Sequence, residues 1–252
     1  MCGLTDTFPH FPFWTRIRTC HAPCVPFAEG LVYHVINRGN NRQPVFGGDG
    51  DYLAFLKAIA DLKQRTRFCF YGYCIMTNQI HLLLRPEEGS VSRVVQCLLV
   101  SHTQRYHRFH HSSGHVWQGR FKSPVIQDDD HLLTVLRYIE ANPLRAKKVK
   151  RAGDYPWSSF GCHGDGRIDP LLDPVPGYDA LAAYPAVRQR RWSAYVHQVP
   201  EEAELAAIRR SNETGLPYGG KDWVDGLCQQ LDLDLTIRPR GRPRKDAADA
   251  GK

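Results

Sequence analysis

The stretch "FCFYGYCIMTNQIHLLLRP", residues 68–86, sets the architecture. Two runs rich in aromatic and branched residues, 68–76 and 79–85, flank Thr77-Asn78. A two-residue connection of this kind joins antiparallel neighbours, so a β-hairpin is predicted. Alternate side chains along a strand face opposite ways. Gln79 and His81 therefore share one face, on a strand otherwise built of Ile and Leu. Two polar side chains so placed are either arms of a metal site or the wet side of an amphipathic strand. Spacing alone leaves both open.

Working outward, "LVYHVIN" (31–37) reads as a strand bounded by Gly30 and Gly39, followed by the loop "NRGNNRQPVFGGDG". Leu53, Leu56, Ile59/Ala60 and Leu62/Lys63 recur with helical period from Asp51 to about Arg67, and Val91, Val94, Val95, Leu98 and His102 form a second helical stripe from Val91 to about Phe109. Residues 115–127 read as a short strand pair or a strand with loop. "DDDHLLTVLRYIEANP" (128–143) reads as a helix, with acidic residues at its positive end and Pro143 at its stop. The order β-α-β-β-α-β-α predicts an α+β fold, an antiparallel sheet with helices packed against it. The expected organisation is an N-terminal arm over 1–28, a main domain over 29–160, a Gly/Asp/Pro-rich linker over 161–178, a helical extension over 179–236 and a basic tail over 237–252.

The 252 residues carry 33 Lys and Arg against 26 Asp and Glu, a formal charge of +7. That balance favours a polyanionic partner, nucleic acid or an anionic membrane surface. No apolar run reaches the length of a membrane span, and the N-terminus lacks the apolar core of a secretory signal, so a cytoplasmic location and reduced thiols for the eight Cys are expected. Cys20, His21 and Cys24 lack a second ligand pair at zinc-finger spacing.

Tyr138 and Asn142 are four apart on the helix predicted over 128–143, hence on one face. A tyrosine is a feasible covalent nucleophile, and an asparagine offers a carbonyl oxygen to a hard cation. By spacing alone such a pair is common.

"YHVINRGNNRQPVF", "YCIMTNQIHLLLRP", "SHTQRYHRFHHSSGHVWQGRFKS" and "LRYIEANPLRAKKV…DYPWSSF" together resemble the HUH-type single-strand (IS200-like) tyrosine transposases, and within them the REP-associated tyrosine transposases. The resemblance runs collinearly over about residues 30–160. "GLPYGGKDWVDGLCQQLDLDLTIRPRGRPRK" also resembles the carboxy-terminal extension of that group. The resemblance implies a ferredoxin-like HUH endonuclease core, Tyr138 as nucleophile, and His81 and Asn142 as ligands of Mg²⁺ or Mn²⁺. Where the family has the first of two metal histidines, this chain has Gln79. It implies cleavage and rejoining of hairpin-flanked single-stranded DNA through a 5′-phosphotyrosine. The alternative is a weakened or inactive transposase derivative that binds DNA without cutting it. An RNA-binding regulator on a ferredoxin-like sheet finds support only in the aromatic strand 68–76 and lacks the usual RNA-binding strand signature. Monomer and homodimer stay equally open, and no membrane partner is expected.

Candidate DNA contacts are Arg38, Asn40 and Arg42 after the first strand, Arg105 and Arg108 late on the second helix, and Arg120 and Lys122 beyond it. Cations pair with phosphates, while rings such as Trp117 and Phe121 either stack on bases or belong to the core. In "RPRGRPRK", Arg238, Arg240, Arg242 and Arg244 alternate with Pro and Gly, an extended basic strip similar to an AT-hook and suited to a narrow minor groove.

Overall fold

A computed structural model describes residues 30–127 and 130–231. The expected arm, the Cys20–Cys24 segment and the Arg238–Arg244 strip lie outside the described residues. Four strands, β1 (Val32–Arg38), β2 (Phe68–Met76), β3 (Gln79–Pro86) and β4 (Val125–Ile126), form an antiparallel sheet in the order β2-β3-β1-β4. The hairpin turns at Thr77-Asn78 as expected, pairing Met76 with Gln79. Residues 115–127 give one short strand, extended toward the turn end by isolated pairings of Lys122 with Ile36 and Trp117 with Gly39.

Helices α1 (Asp49–Lys63) and α2 (Val91–His110) cover one face of the sheet, where Tyr33, Val35, Phe70, Ile75, Ile80, Leu82 and Leu84 meet Val94, Val95 and Leu98. The line that α1 buries is Tyr52, Phe55 and Ile59, whereas Leu53 is 58% exposed. Leu53 thus departs from the expected stripe. Aromatic packing sets the rotation: the Tyr52 ring stacks on Trp157 and on Phe46, with centroids 4.5 and 5.0 Å away.

The opposite face carries α3 (Asp130–Glu140), whose Leu132, Val135, Leu136 and Ile139 pack on Val32, Tyr71, Cys74, Met76 and Leu83. After α4 (Asn142–Arg145) and α5 (Phe160–His163), the extension adds α6 (Pro185–His197), α7 (Glu202–Thr214) and α8 (Lys221–Gln230). Residues 161–178, expected as a linker, are pinned to the core instead. Val175 is buried, Tyr73 donates to Asp169 (2.9 Å), and Asp173 accepts from the Phe70 N–H and from Lys63. The Asp residues that suggested solvent-facing loop chemistry serve as anchors to β2.

Gly72 governs how closely α3 sits. The β2–β3 register shifts between Phe70 and Gly72, and a Cβ at Gly72 would lie 2.3 Å from Leu136 Cδ1 and 3.1 Å from Ser159 Oγ. Gly72→Ala is expected to lower stability by roughly 1–3 kcal/mol through overpacking. Urea denaturation checks it, and adding Leu136→Ala should recover less than its own cavity cost would suggest if the two sites were independent, giving a coupling energy of opposite sign to the single losses.

Candidate active site

The site is built on the α3 face of the sheet. His34 on β1 and His81 on β3 are buried there, with His34 Nε2 3.0 Å from His81 Nδ1 and the rings stacked at 5.2 Å. Gln79 follows on the same face, one step nearer the hairpin turn and opposite Arg38. From α3, the half-buried Tyr138 ring meets both imidazoles edge-on, at 6.0 Å from His34 and 6.1 Å from His81.

Asn142 is placed differently from the expectation of one continuous helix. α3 ends at Glu140, and Asn142 opens α4 with Pro143 behind it. Pro143 has no N–H to give the Ile139 carbonyl, so the ladder breaks there. The Asn142 side chain repairs the break: its Nδ2 donates to the carbonyls of Ile139 (3.1 Å) and Tyr138 (3.2 Å). The amide nitrogen is thereby committed, and only Oδ1 is left to offer a cation. The same turn brings Arg145 back over the nucleophile candidate. Its guanidinium lies 4.0 Å above the Tyr138 ring, and Nη2 donates to the Tyr138 carbonyl at 2.6 Å, while the buried Nη1 has no partner.

Burial dominates the electrostatics. It pushes His81 down to about 3, helped by the Arg145 charge, and lowers His34 well below the usual imidazole value, helped by His81. Burial also lowers Arg145, against the opposing pull of Tyr138. Both imidazoles are therefore neutral at neutral pH, the state a metal ligand requires. His81 Nε2 is buried without a partner. Among the described residues no group of three or more His, Cys, Asp or Glu is placed to hold a metal ion. A cation here would rely on one imidazole and on amide oxygens.

Two comparisons bear on identity. A family model described as "Transposase IS200 like" matches residues 28–142. A "Putative REP-associated tyrosine transposase" from Haemophilus influenzae is 30% identical over 122 residues, spanning 44% of this chain and 69% of that protein. The chain belongs to the REP-associated tyrosine transposases, within the IS200-like family. A solved REP-associated tyrosine transposase bound to a REP hairpin is also similar, at 18% identity and a TM-score of 0.49 over 63% of this chain and 90% of that one.

In this transposase the basic residues singled out in the sequence gather at one end of the sheet. The loop after β1, the hairpin turn and residues 115–118 are laced together by Gly39 N–H to Asn78 O (2.8 Å), Asn40 N–H to Val116 O (2.8 Å) and Val45 N–H to Thr77 O (2.8 Å). Asn40 and Arg42 are exposed there, and Arg42 holds the left-handed conformation at φ 60°. Arg38 grips Gln118 Oε1 through Nε and Nη2 (3.0 and 2.8 Å), and Arg105 reaches the Gly50 carbonyl (3.3 Å). Arg108 and Arg120 are exposed, whereas Lys122 donates to the Glu213 carbonyl at the end of α7. Trp117 is a core residue, packed against Phe46 and His102.

His102, considered as a proton acceptor, lies on the other face of the sheet from Tyr138. It is held by the Val45 carbonyl (2.9 Å) among Phe46, Phe55 and Trp117, and burial pushes it down to about 4. His131 is two helical turns from Tyr138 on α3, against Tyr218. His34 and Arg145 are absent from the sequence-derived set. His34 was legible as the same-face partner of a neighbouring strand once β1–β3 pairing was assumed, since it sits one diagonal step from His81.

The buried imidazoles make stability fall on acidification. Unfolded histidine binds its proton near 6.5, whereas folded His81 and His102 do so only near 3 and 4. Stability is full above about pH 6.5 and is lost as pH falls toward those folded values. By pH 5 each should have lost on the order of 2 kcal/mol, measured by urea midpoints. His102→Phe should flatten that dependence.

Proposed function

We propose that this transposase cleaves and rejoins single-stranded DNA flanked by hairpins, in a cytoplasmic setting, with Tyr138 as nucleophile. The observation that carries this reading is the Tyr138 ring set 6.1 Å from the buried, neutral His81 across the sheet face. The Tyr138 oxygen attacks phosphorus, forming a 5′-phosphotyrosine, and the bond to the 3′ oxygen breaks to release a 3′-hydroxyl. Attack of a 3′-hydroxyl on that ester later reverses the exchange without an outside energy source.

The donor set suits a hard or borderline cation: His81 Nε2, with the oxygens of Gln79 and Asn142, would hold Mg²⁺ or Mn²⁺. Such an ion, when bound, polarises the scissile phosphate and neutralises charge on the leaving oxygen. The remaining work falls to the chain. Arg145 stands over the phenol ring, where its charge favours the phenolate, and its unpartnered Nη1 suits a phosphate oxygen. Arg38, Asn40, Arg42, Arg105, Arg108 and Arg120 at the adjoining end of the sheet supply charge for the DNA backbone, as would the Arg238–Arg244 strip.

The shortage of charged or imidazole ligands favours a second reading, a DNA-binding derivative without cleavage. One assay separates them. A labelled single-stranded oligonucleotide with a hairpin, incubated with Mn²⁺, should yield a denaturation-resistant protein–DNA adduct. Tyr138→Phe should abolish the adduct and leave the mobility shift in place. A shift with no adduct from the wild-type chain would establish the second reading. Gln79→His, restoring an imidazole, should increase adduct formation roughly tenfold at limiting Mn²⁺. Binding itself should weaken steeply between low and physiological salt.

A further inference from the structure

His81 does not stand alone behind its prospective ligand nitrogen. Its Nδ1 is engaged by His34 Nε2 at 3.0 Å, and the far nitrogen of that second ring, His34 Nδ1, is buried with no other partner. Toward it comes Asn212 from α7. The Asn212 side chain acts on His34 as a hydrogen-bond acceptor, and its Oδ1 is likewise sealed from solvent without another partner. The separation is longer or more bent than an ideal hydrogen bond, so both atoms remain formally unpaired, facing groups for each other.

An amide oxygen can only accept. With Asn212 Oδ1 as the terminus, His34 must carry its proton on Nδ1, which leaves Nε2 bare. A bare His34 Nε2 must accept, so His81 carries its proton on Nδ1. His81 Nε2 is then left with a free lone pair. The opposite orientation puts a buried N–H on His81 Nε2, aimed at Tyr138 and Arg145 with nothing to receive it, and leaves the Asn212 oxygen unsatisfied. We infer that Asn212 and His34 form a relay that sets the tautomer of His81, so that its Nε2 is the nitrogen bare for a cation. Both are positioning residues. Free histidine favours the proton on Nε2, so the relay holds both rings in their less favoured form. The single remaining imidazole ligand is thereby kept competent where the chain carries Gln79, and the C-terminal extension completes the catalytic domain's site. This inference rests on the proposed role of His81 as a ligand.

The test uses full-length, histidine-¹⁵N-labelled, metal-free protein and long-range ¹H–¹⁵N correlation of the imidazoles, assigned with His34→Gln and His81→Gln. The expected result is a proton on Nδ1 of both rings. Asn212→Leu should move the His81 proton wholly or partly to Nε2 and weaken Mn²⁺ binding about tenfold. Asn212→Asp, which keeps an acceptor in place, should restore the wild-type tautomer; it also guards against an Asn212→Leu chain that fails to fold. A wild-type His81 protonated on Nε2, or a tautomer indifferent to Asn212→Leu in a folded chain, overturns the relay. Selective broadening of His81 by Mn²⁺ tests the ligand role separately. Broadening with the wrong tautomer sinks the relay alone, and the right tautomer without broadening sinks the ligand role alone.

Discussion

The carboxylate of Glu140, fully buried at the end of α3, holds the architecture of the site together. Oε1 accepts from Ser159 Oγ (2.6 Å) and His163 Nδ1 (2.7 Å), and Oε2 accepts from Trp192 Nε1 (2.7 Å). A buried carboxylate is costly unless its lone pairs are met, and here three donors from three separate segments meet them. Ser159 also accepts from the Tyr73 N–H of β2, so the network runs from the sheet through α3 to α6. Removing the acceptor would strand all three donors at once. The helix that carries Tyr138 is thereby locked, two residues beyond that ring, to both the catalytic sheet and the extension.

That lock explains how a helix break can serve precision. Immediately after Glu140 the Asn-Pro step ends α3, and the carbonyls freed at Tyr138 and Ile139 become attachment points for Asn142 and Arg145. A continuous helix would have spent those carbonyls on its own ladder. The break trades two ordinary main-chain bonds for a guanidinium stationed on the phenol face. Gly72 below and Glu140 beyond fix the height and tilt at which this happens.

Much of this was legible in the residues, for identifiable reasons. The hairpin, β1 and α2 announce themselves by strict periodicity, and the element order forces an antiparallel sheet. Tyr138 and His81 are found as soon as α3 and β3 are placed on the same face. What escaped depends on long-range pairing: His34 reads as an ordinary strand residue until β1 lies beside β3, and Arg145 reads as a surface cation until the Asn-Pro break folds it back. Leu53 misled because leucine marks a buried stripe only when no larger ring competes for the inside, and Tyr52 does. Asp169 and Asp173 misled in the same way, since a carboxylate that accepts main-chain N–H groups looks identical, in composition, to a solvated loop.

Both borders of the sheet are closed by the chain itself. Along β2, Ser159 and Trp157 take up the main-chain groups of Tyr73 and Ile75, Tyr155 donates to the Ile75 carbonyl, and Asp173 engages Phe70 through both backbone and side chain. Along β4, Tyr218 bonds Val125 and Gln127, and Gly220 N–H reaches the Gln127 side chain. Open strand borders are the usual templates on which another polypeptide adds itself. With these borders sealed, two such molecules cannot merge their sheets into one by strand addition unless a strap first peels away, and whatever brings two copies together on DNA must act through side chains or through the nucleic acid.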